Sequence, residues 1–145
     1  MLSPYRKKDF NACVNLFIAA FSAPPLSYDF LTEEKVRRYL RDLINTPGFA
    51  GYIYEFEGEA AAFCFGKTED YFHAPQYVVN ELAVHPNLHG KGVGRAAMQA
   101  VEAELAKTGY VAVALETSKI IPAYYFYRKL GYENISDNVS LTKPL

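Results

Sequence analysis

Three glycines at alternate positions, Gly90, Gly92 and Gly94, stand directly before a helical pattern that begins on their C-terminal side. Backbone without Cβ atoms can take left-handed angles and lets a ligand approach the main chain closely. The first N–H groups of a helix lack partners within it, and together with the positive end of the dipole they form an anion site. Lys91 and Arg95 add two local positive charges to the segment His89-Gly90-Lys91-Gly92-Val93-Gly94-Arg95. Their local character matters, because 15 basic against 16 acidic side chains leave a formal net charge of −1. That balance argues against a bulk electrostatic grip on nucleic acid or on an anionic membrane.

Three other readings of the glycine segment compete with a polyphosphate site. It can be a connecting loop with a glycine-rich turn. The GxxxxGK[ST] phosphate motif is absent. Gly92 to Ala97 does fit the dinucleotide fingerprint GxGxxA, with Glu116 near the ribose position, which keeps an NAD(P)-binding enzyme as an alternative. That fingerprint needs its first glycine almost at a strand end, whereas His85 to Lys91 intervene here.

Around this segment the hydrophobic period changes several times. Leu2 to Tyr5 reads as a short strand, and Asp9 offers an N-cap for a helix to about Phe21, striped by Phe10, Cys13, Val14, Phe17, Ile18 and Phe21. Thr32 caps a second helix with Glu33 and Glu34 in its first turn and Val36, Tyr39, Leu40, Leu43 and Ile44 on its apolar face. Aromatic-rich runs at 49–56 and 60–67, broken at Glu57-Gly58-Glu59, suggest an antiparallel hairpin, and Tyr77 to Val84 reads as the next strand. A helix from about Gly92 to Lys107 leads to a short apolar strand over 110–115 and a compact helix over 122–130, after which the remainder supplies one or two closing strands.

The pattern is an α/β fold, a mixed α+β sheet with one strand–helix–strand crossover, in one domain spanning 1–145. A chain of 145 residues, 50% hydrophobic and 21% charged, is long enough to build a core without staples. Cys13 and Cys64 sit in apolar runs with no metal-ligand spacing, so they read as buried thiols in a reducing compartment, with no metal implied. No apolar run approaches the roughly 18 residues of a membrane span. The basic residues Arg6, Lys7 and Lys8 precede a helical stripe rather than a signal peptide, and the expected location is cytoplasmic.

Asn80-Glu81-Leu82-Ala83-Val84-His85-Pro86, the loop from His89 to Arg95, and Ala123 to Tyr132 together resemble the GNAT superfamily of N-acetyltransferases. The resemblance covers nearly the whole chain in element order, with its specific motifs at about residues 80 to 132. It implies a mostly antiparallel sheet with one splayed parallel pair, flanked by about four helices, and acetyl-CoA as cosubstrate in the V-shaped gap between the splayed strands. Leu82, Ala83 and Val84 would offer main-chain groups to the pantetheine arm and acetyl carbonyl, and His89, Gly90, Lys91, Gly92, Val93, Gly94 and Arg95 would hold the pyrophosphate. The family's Arg or Gln is replaced by His89. A frequent family Asn is replaced by Ile120.

The chemistry that the resemblance implies is attack of a primary amine on the thioester. An alkyl ammonium of pKa ~10.4 is only about one part in a thousand neutral near pH 7.4, so something must take its proton. Glu81, in the strand beside the gap, is the candidate base, directly or through a water, with simple ammonium binding as the other reading. Tyr127 matches the family tyrosine near the sulfur, contacts the cofactor there, and hydrogen-bonds the departing thiolate. Tyr28, Asp29, Tyr71 and Phe72, with Phe21, Glu69 and Asp70 nearby, lie in two loops expected near the acceptor mouth. Carboxylates and aromatic faces favour a cation such as a polyamine, an aminosugar or a peptide N-terminus. The expected partner is therefore an amine acceptor, with no nucleic acid or membrane, and the chain is expected as a monomer or homodimer. A non-catalytic acyl-CoA-binding sensor is the alternative suggested by His89 and Ile120.

Overall fold

The sheet begins at Phe49, where the helical period gives way to alternation. The computed structural model describes residues 1–72 and 74–145, with the side chain of Tyr71 outside the described residues. Strands β2 (Phe49–Phe56) and β3 (Glu59–Tyr71) join through Glu57 and Gly58. Their φ values of 53° and 80° are the paired left-handed angles of a two-residue hairpin turn. β3 pairs antiparallel with β4 (Ala74–Val84), so this hairpin extends well past the expected strand ends at Lys67 and Tyr77. β1 (Leu2–Pro4) closes the other side against β2.

Helix α3 (Val93–Lys107) carries the chain over the sheet to β5 (Ala112–Ala114), which lies parallel to β4. The order is β1-β2-β3-β4-β5, the mixed sheet with one crossover that the periods predict.

Two apolar layers hold the helices on the sheet. Helices α1 (Phe10–Ser22) and α2 (Glu33–Ile44) bury Cys13, Val14, Phe17, Val36 and Leu40 against Ile53, Phe63, Phe65 and Ala83. On the opposite face α3 and α4 (Pro122–Lys129) bury Met98, Val101, Leu105 and Tyr127 against Tyr52, Cys64, Tyr77 and Val79. Each fully buried Leu, Val or Phe contributes roughly 1.5–3 kcal/mol of transfer free energy. Both cysteines are buried free thiols, and burial pushes each up to about 12, leaving them unreactive at neutral pH.

Thr32 caps α2 as its residue type predicts, accepting a 3.2 Å bond from the Lys35 N–H. Asp9 does not cap α1. Its carboxylate accepts from the Arg6 N–H at 2.8 Å instead, closing the short 3₁₀ turn Lys7–Asp9 that precedes the helix.

The expected closing strands are absent. Residues 133–145 form turns and irregular chain among the described residues, and the sheet ends at a β5 only three residues long. Asn134, Ser136, Asp137 and Asn138 explain this, since their side chains compete for the backbone groups that a strand must pair. At the other end of β5, the Tyr110 hydroxyl is 2.6 Å from the Thr68 hydroxyl, and the Val111 N–H binds the Pro75 carbonyl just before the strand starts. No helix among the described residues is long and apolar enough to cross a membrane.

Candidate active site

β5 accompanies β4 only at Gln76, Tyr77 and Val78. From there to Val84 one side of β4 has no strand beside it among the described residues, which opens a wedge in the sheet. The register of β4 against β3 slips at the same place. Phe65 opposes Glu81, yet Gly66 opposes Val79, so Asn80 is an extra residue, a β-bulge.

That bulge decides which way Glu81 points. Tyr77 and Val79 belong to the α3–α4 layer, and strict alternation would send Glu81 there too. The extra residue reverses the phase: Ala83 packs in the α1–α2 layer, and Glu81 with it faces α2. There the Tyr39 hydroxyl donates a 2.5 Å hydrogen bond to Glu81 Oε1. Burial raises the Glu81 pKa above the usual carboxylate value and the Tyr39 bond partly offsets the rise. Burial and the adjacent carboxylate push the Tyr39 phenol far up, so it remains a neutral donor.

The ladder also settles which main-chain groups face the wedge. The His85 N–H binds the Ala61 carbonyl at 2.9 Å, making that pair a hydrogen-bonded rung. Alternation then turns the groups of Ala83 toward β3 and those of Leu82 and Val84 toward the open side. The Val84 carbonyl is already engaged, 2.9 Å from His89 Nε2. Leu82 N–H, Leu82 C=O and Val84 N–H are left facing the wedge.

Beyond Val84 a short 3₁₀ turn, Pro86–Leu88, leads into the glycine segment. Gly90 and Gly92 have φ of 73° and 80°, and Gly92 is the N-cap of α3 without any side-chain cap. The Lys91 N–H reaches back to the Leu88 carbonyl at 3.3 Å. The amides of Gly90, Gly92, Val93, Gly94 and Arg95 have no protein acceptor among the described residues. Lys91 and Arg95 are exposed and form no ion pair there. A cradle of free donors at a helix start, flanked by two cations, fits a diphosphate, and the open edge of Leu82 and Val84 fits an extended amide-bearing arm.

Tyr127 lies on α4, buried, with edge-on rings of Phe126 and Tyr132 at 5.1 and 5.4 Å. Burial first, then Cys64 and the Glu81 carboxylate, raise its phenol far above the ordinary value. It is a hydrogen-bond donor at neutral pH and a poor source of a whole proton.

The remaining expected site residues are scattered. Tyr28 and Asp29 are exposed in the α1–α2 loop. The side chain of Tyr71 lies outside the described residues, and Phe72 is almost fully exposed at the β3–β4 turn. Tyr71 is six strand steps from Phe65, the partner of Glu81, which puts that turn about 20 Å along the sheet from the carboxylate. Ile120 is 92% exposed beside α4. A cleft of about 1290 Å³ runs between β5, α4 and residues 132–140, and of the expected site residues whose side chains are described only Tyr127 is on its wall.

Two participants escape a reading of the sequence. Tyr39 sits among the apolar residues of α2, and its only signal is a phenol that needs a partner on an otherwise apolar stripe. Asn80 gives no signal beyond its low strand propensity.

Residues 10–132 match the model of the acetyltransferase (GNAT) family. The chain belongs to that family. Its fold recurs at low identity in solved structures. A possible acetyltransferase from Clostridium difficile has TM-score 0.80 and 13% identity, over 100% of this chain and 97% of that one. An aminoglycoside acetyltransferase from an uncultured soil metagenomic sample, in complex with sisomicin, has TM-score 0.74 and 18% identity, over 100% and 95%. A GNAT family acetyltransferase of Staphylococcus aureus has TM-score 0.72 and 15% identity, over 100% and 98%. No curated protein sequence matches the chain. As a GNAT member, the chain departs from the dinucleotide-binding architecture, since β4 ends at Val84, well before Gly92, and its neighbour β3 is antiparallel.

Proposed function

We propose that this GNAT protein is an acetyl-CoA-dependent N-acetyltransferase acting on a primary amine of a small molecule or peptide. The observation that carries the reading is the set of unpartnered amides of Gly90, Gly92, Val93, Gly94 and Arg95 beside the unpaired edge of β4. The aminoglycoside acetyltransferases among its structural neighbours support a small-molecule acceptor.

Bound acetyl-CoA supplies an acyl thioester, whose carbon gains a bond to the amine nitrogen and loses its bond to sulfur. The amides of Gly90, Gly92, Val93, Gly94 and Arg95 hold the diphosphate, with Lys91 and Arg95 adding charge. Leu82 and Val84 orient the arm through their open main-chain groups. His89 braces the loop by its bond to the Val84 carbonyl rather than contacting the anion directly. Glu81, its basicity raised by burial, takes the ammonium proton. Tyr127 donates a hydrogen bond to the developing thiolate, which takes up the second proton that the nitrogen sheds as the amide forms.

A thermal-shift series with coenzyme A, acetyl-CoA and NADH tests the binding half. At a hundredfold excess over Kd a ligand specific for the native state adds about 2.7 kcal/mol. For a chain near 150 residues that is a rise of about 5–10 °C. A shift with NADH and none with either CoA species overturns the reading. Thiol release over a panel of amines tests the chemistry, and CoA binding without turnover on any amine would establish the sensor alternative, which the engaged His89 and exposed Ile120 favour.

A further inference from the structure

From the Glu81 carboxylate a run of aromatic rings leads outward to solvent. Tyr39, which holds Glu81, has its ring 5.8 Å from Phe17. Phe17 stacks on Phe21 at 4.3 Å, Phe21 lies nearly parallel to Tyr28 at 6.3 Å, and Tyr28 is 5.1 Å from Phe30. Tyr39 at the inner end is 39% exposed, and Tyr28 and Phe30 at the outer end are 40% and 58% exposed. Water therefore covers aromatic surface at both ends of a run that starts beside an acidic group.

We propose that the exposed rings of this run, Tyr39 at its inner end and Tyr28 and Phe30 at its outer end, joined through the buried Phe17, form the acceptor wall and select an amine carried on a flat apolar body, an arylalkylamine, over a linear polyamine or an aminosugar. The inference rests on the transferase reading above and names its acceptor class. The ammonium end meets Glu81 and the face of Tyr39, and the body lies along the outer rings, where aromatic faces attract both ring edges and cations.

Charge separates a monoamine from a polyamine, and the ring surface separates an aryl body from a sugar. A polyamine site needs carboxylates at intervals, and between Glu81 and the exposed Asp29 the run consists of rings alone. On the flanking helix α2, Arg37 is paired with Glu33 at 2.9 Å and Glu34 and Asp42 offset part of the remaining charge, so the cation that meets a second positive charge along the run is Lys35. Lys35 is fixed there, its Nζ 3.3 Å from the Phe30 carbonyl, so it ties the outer rings to α2. A monoamine places its one charge at Glu81, at the other end of the run from the Lys35 ammonium.

Calorimetry on the full chain saturated with coenzyme A, titrated with 2-phenylethylamine, 1,4-diaminobutane and glucosamine, tests this without requiring turnover. Phenylethylamine is expected to bind roughly tenfold more tightly than either other amine. The double variant Tyr28→Ala, Phe30→Ala is expected to lose about that factor for phenylethylamine and to change the diaminobutane affinity less than about twofold. Tyr28→Ala alone, at a single exposed site, gives a smaller loss in the same direction if the double variant fails to fold. Equal or tighter binding of diaminobutane or glucosamine, or unchanged phenylethylamine affinity in the variants, overturns the proposal. If coenzyme A itself produces no heat, the transferase reading fails, and phenylethylamine titrated alone still reports on the wall.

Discussion

Replacing Tyr39 with Phe removes one hydroxyl and leaves the ring in its place between Phe17 and the sheet. Its bond to Glu81 is 2.5 Å long, short for a neutral donor on a carboxylate. Hydrogen bonds to charged groups contribute about 1.5–3 kcal/mol. Tyr39 is 39% exposed, so solvent screening places this one at the lower end. A loss near 1.4 kcal/mol is about tenfold in an ionisation constant. The bond lowers the Glu81 pKa against the rise caused by burial, so its removal lets the pKa climb further. A base must be ionised to act, so the acidic limb of kcat/KM moves to higher pH. On that limb Tyr39→Phe is expected to be about tenfold slower than wild type, with the two profiles converging at high pH. Amine ionisation is common to both proteins and cancels in their ratio. Stability follows the same sign. A carboxyl raised in the folded state contributes stability that is complete below its unfolded value and is lost as pH rises through the folded value. The variant is therefore less stable at neutral pH, and the gap in urea unfolding closes as pH falls through the raised folded-state values, before the ordinary carboxylate range is reached. Superimposable pH–rate profiles at saturating acetyl-CoA would refute both the base assignment and the role of Tyr39.

Tyr127→Phe is expected to lower kcat by about tenfold to a hundredfold, read by thiol release, with coenzyme A affinity unchanged by calorimetry. Alanine at the two glycines that flank Val93 should act with opposite signs in urea titration. At Gly92, φ of 80° makes a side chain cost about 1–2 kcal/mol. At Gly94 an added Cβ meets only ordinary contacts, 3.4 Å to Val84 and 3.6 Å to Phe126, and stability rises by up to about 1 kcal/mol. Leu40→Ala, at a fully buried position, should lower the unfolding free energy by about 2–5 kcal/mol with an unchanged denaturant slope.

What the sequence made legible was whatever a local period or a special residue type encodes. The stripe from Phe10 to Phe21, the cap at Thr32 and the turn at Glu57-Gly58 each act within a few residues, and the structure bears them out. The alternating glycines likewise identified the segment with free amides. Local rules misled at Asp9, where a nearer N–H competes for the carboxylate, and after Gly131, where scattered apolar residues suggested strands that the Asn and Asp side chains disfavour. Tyr39 and Glu81 are 42 positions apart, and nothing local announces that they meet.

The arrangement around Glu81 depends on an irregularity rather than on a motif. Without the bulge at Asn80, Glu81 would share a face with Tyr77 and Val79, buried against α3 and α4 without Tyr39 to satisfy it. The same site lies just past the last rung shared by β4 and β5, so the residue that turns the carboxylate also stands where the wedge opens. One extra residue in a strand thus couples the direction of the candidate base to the gap that admits its substrate. The proposed acceptor wall shares Tyr39 with this site, but its outer rings, Phe21, Tyr28 and Phe30, lie on α1 and the loop that follows it, which the bulge does not touch. Substitutions in the ring run from Phe21 to Phe30 should therefore move KM for the amine while leaving the pH dependence assigned to Glu81 in place.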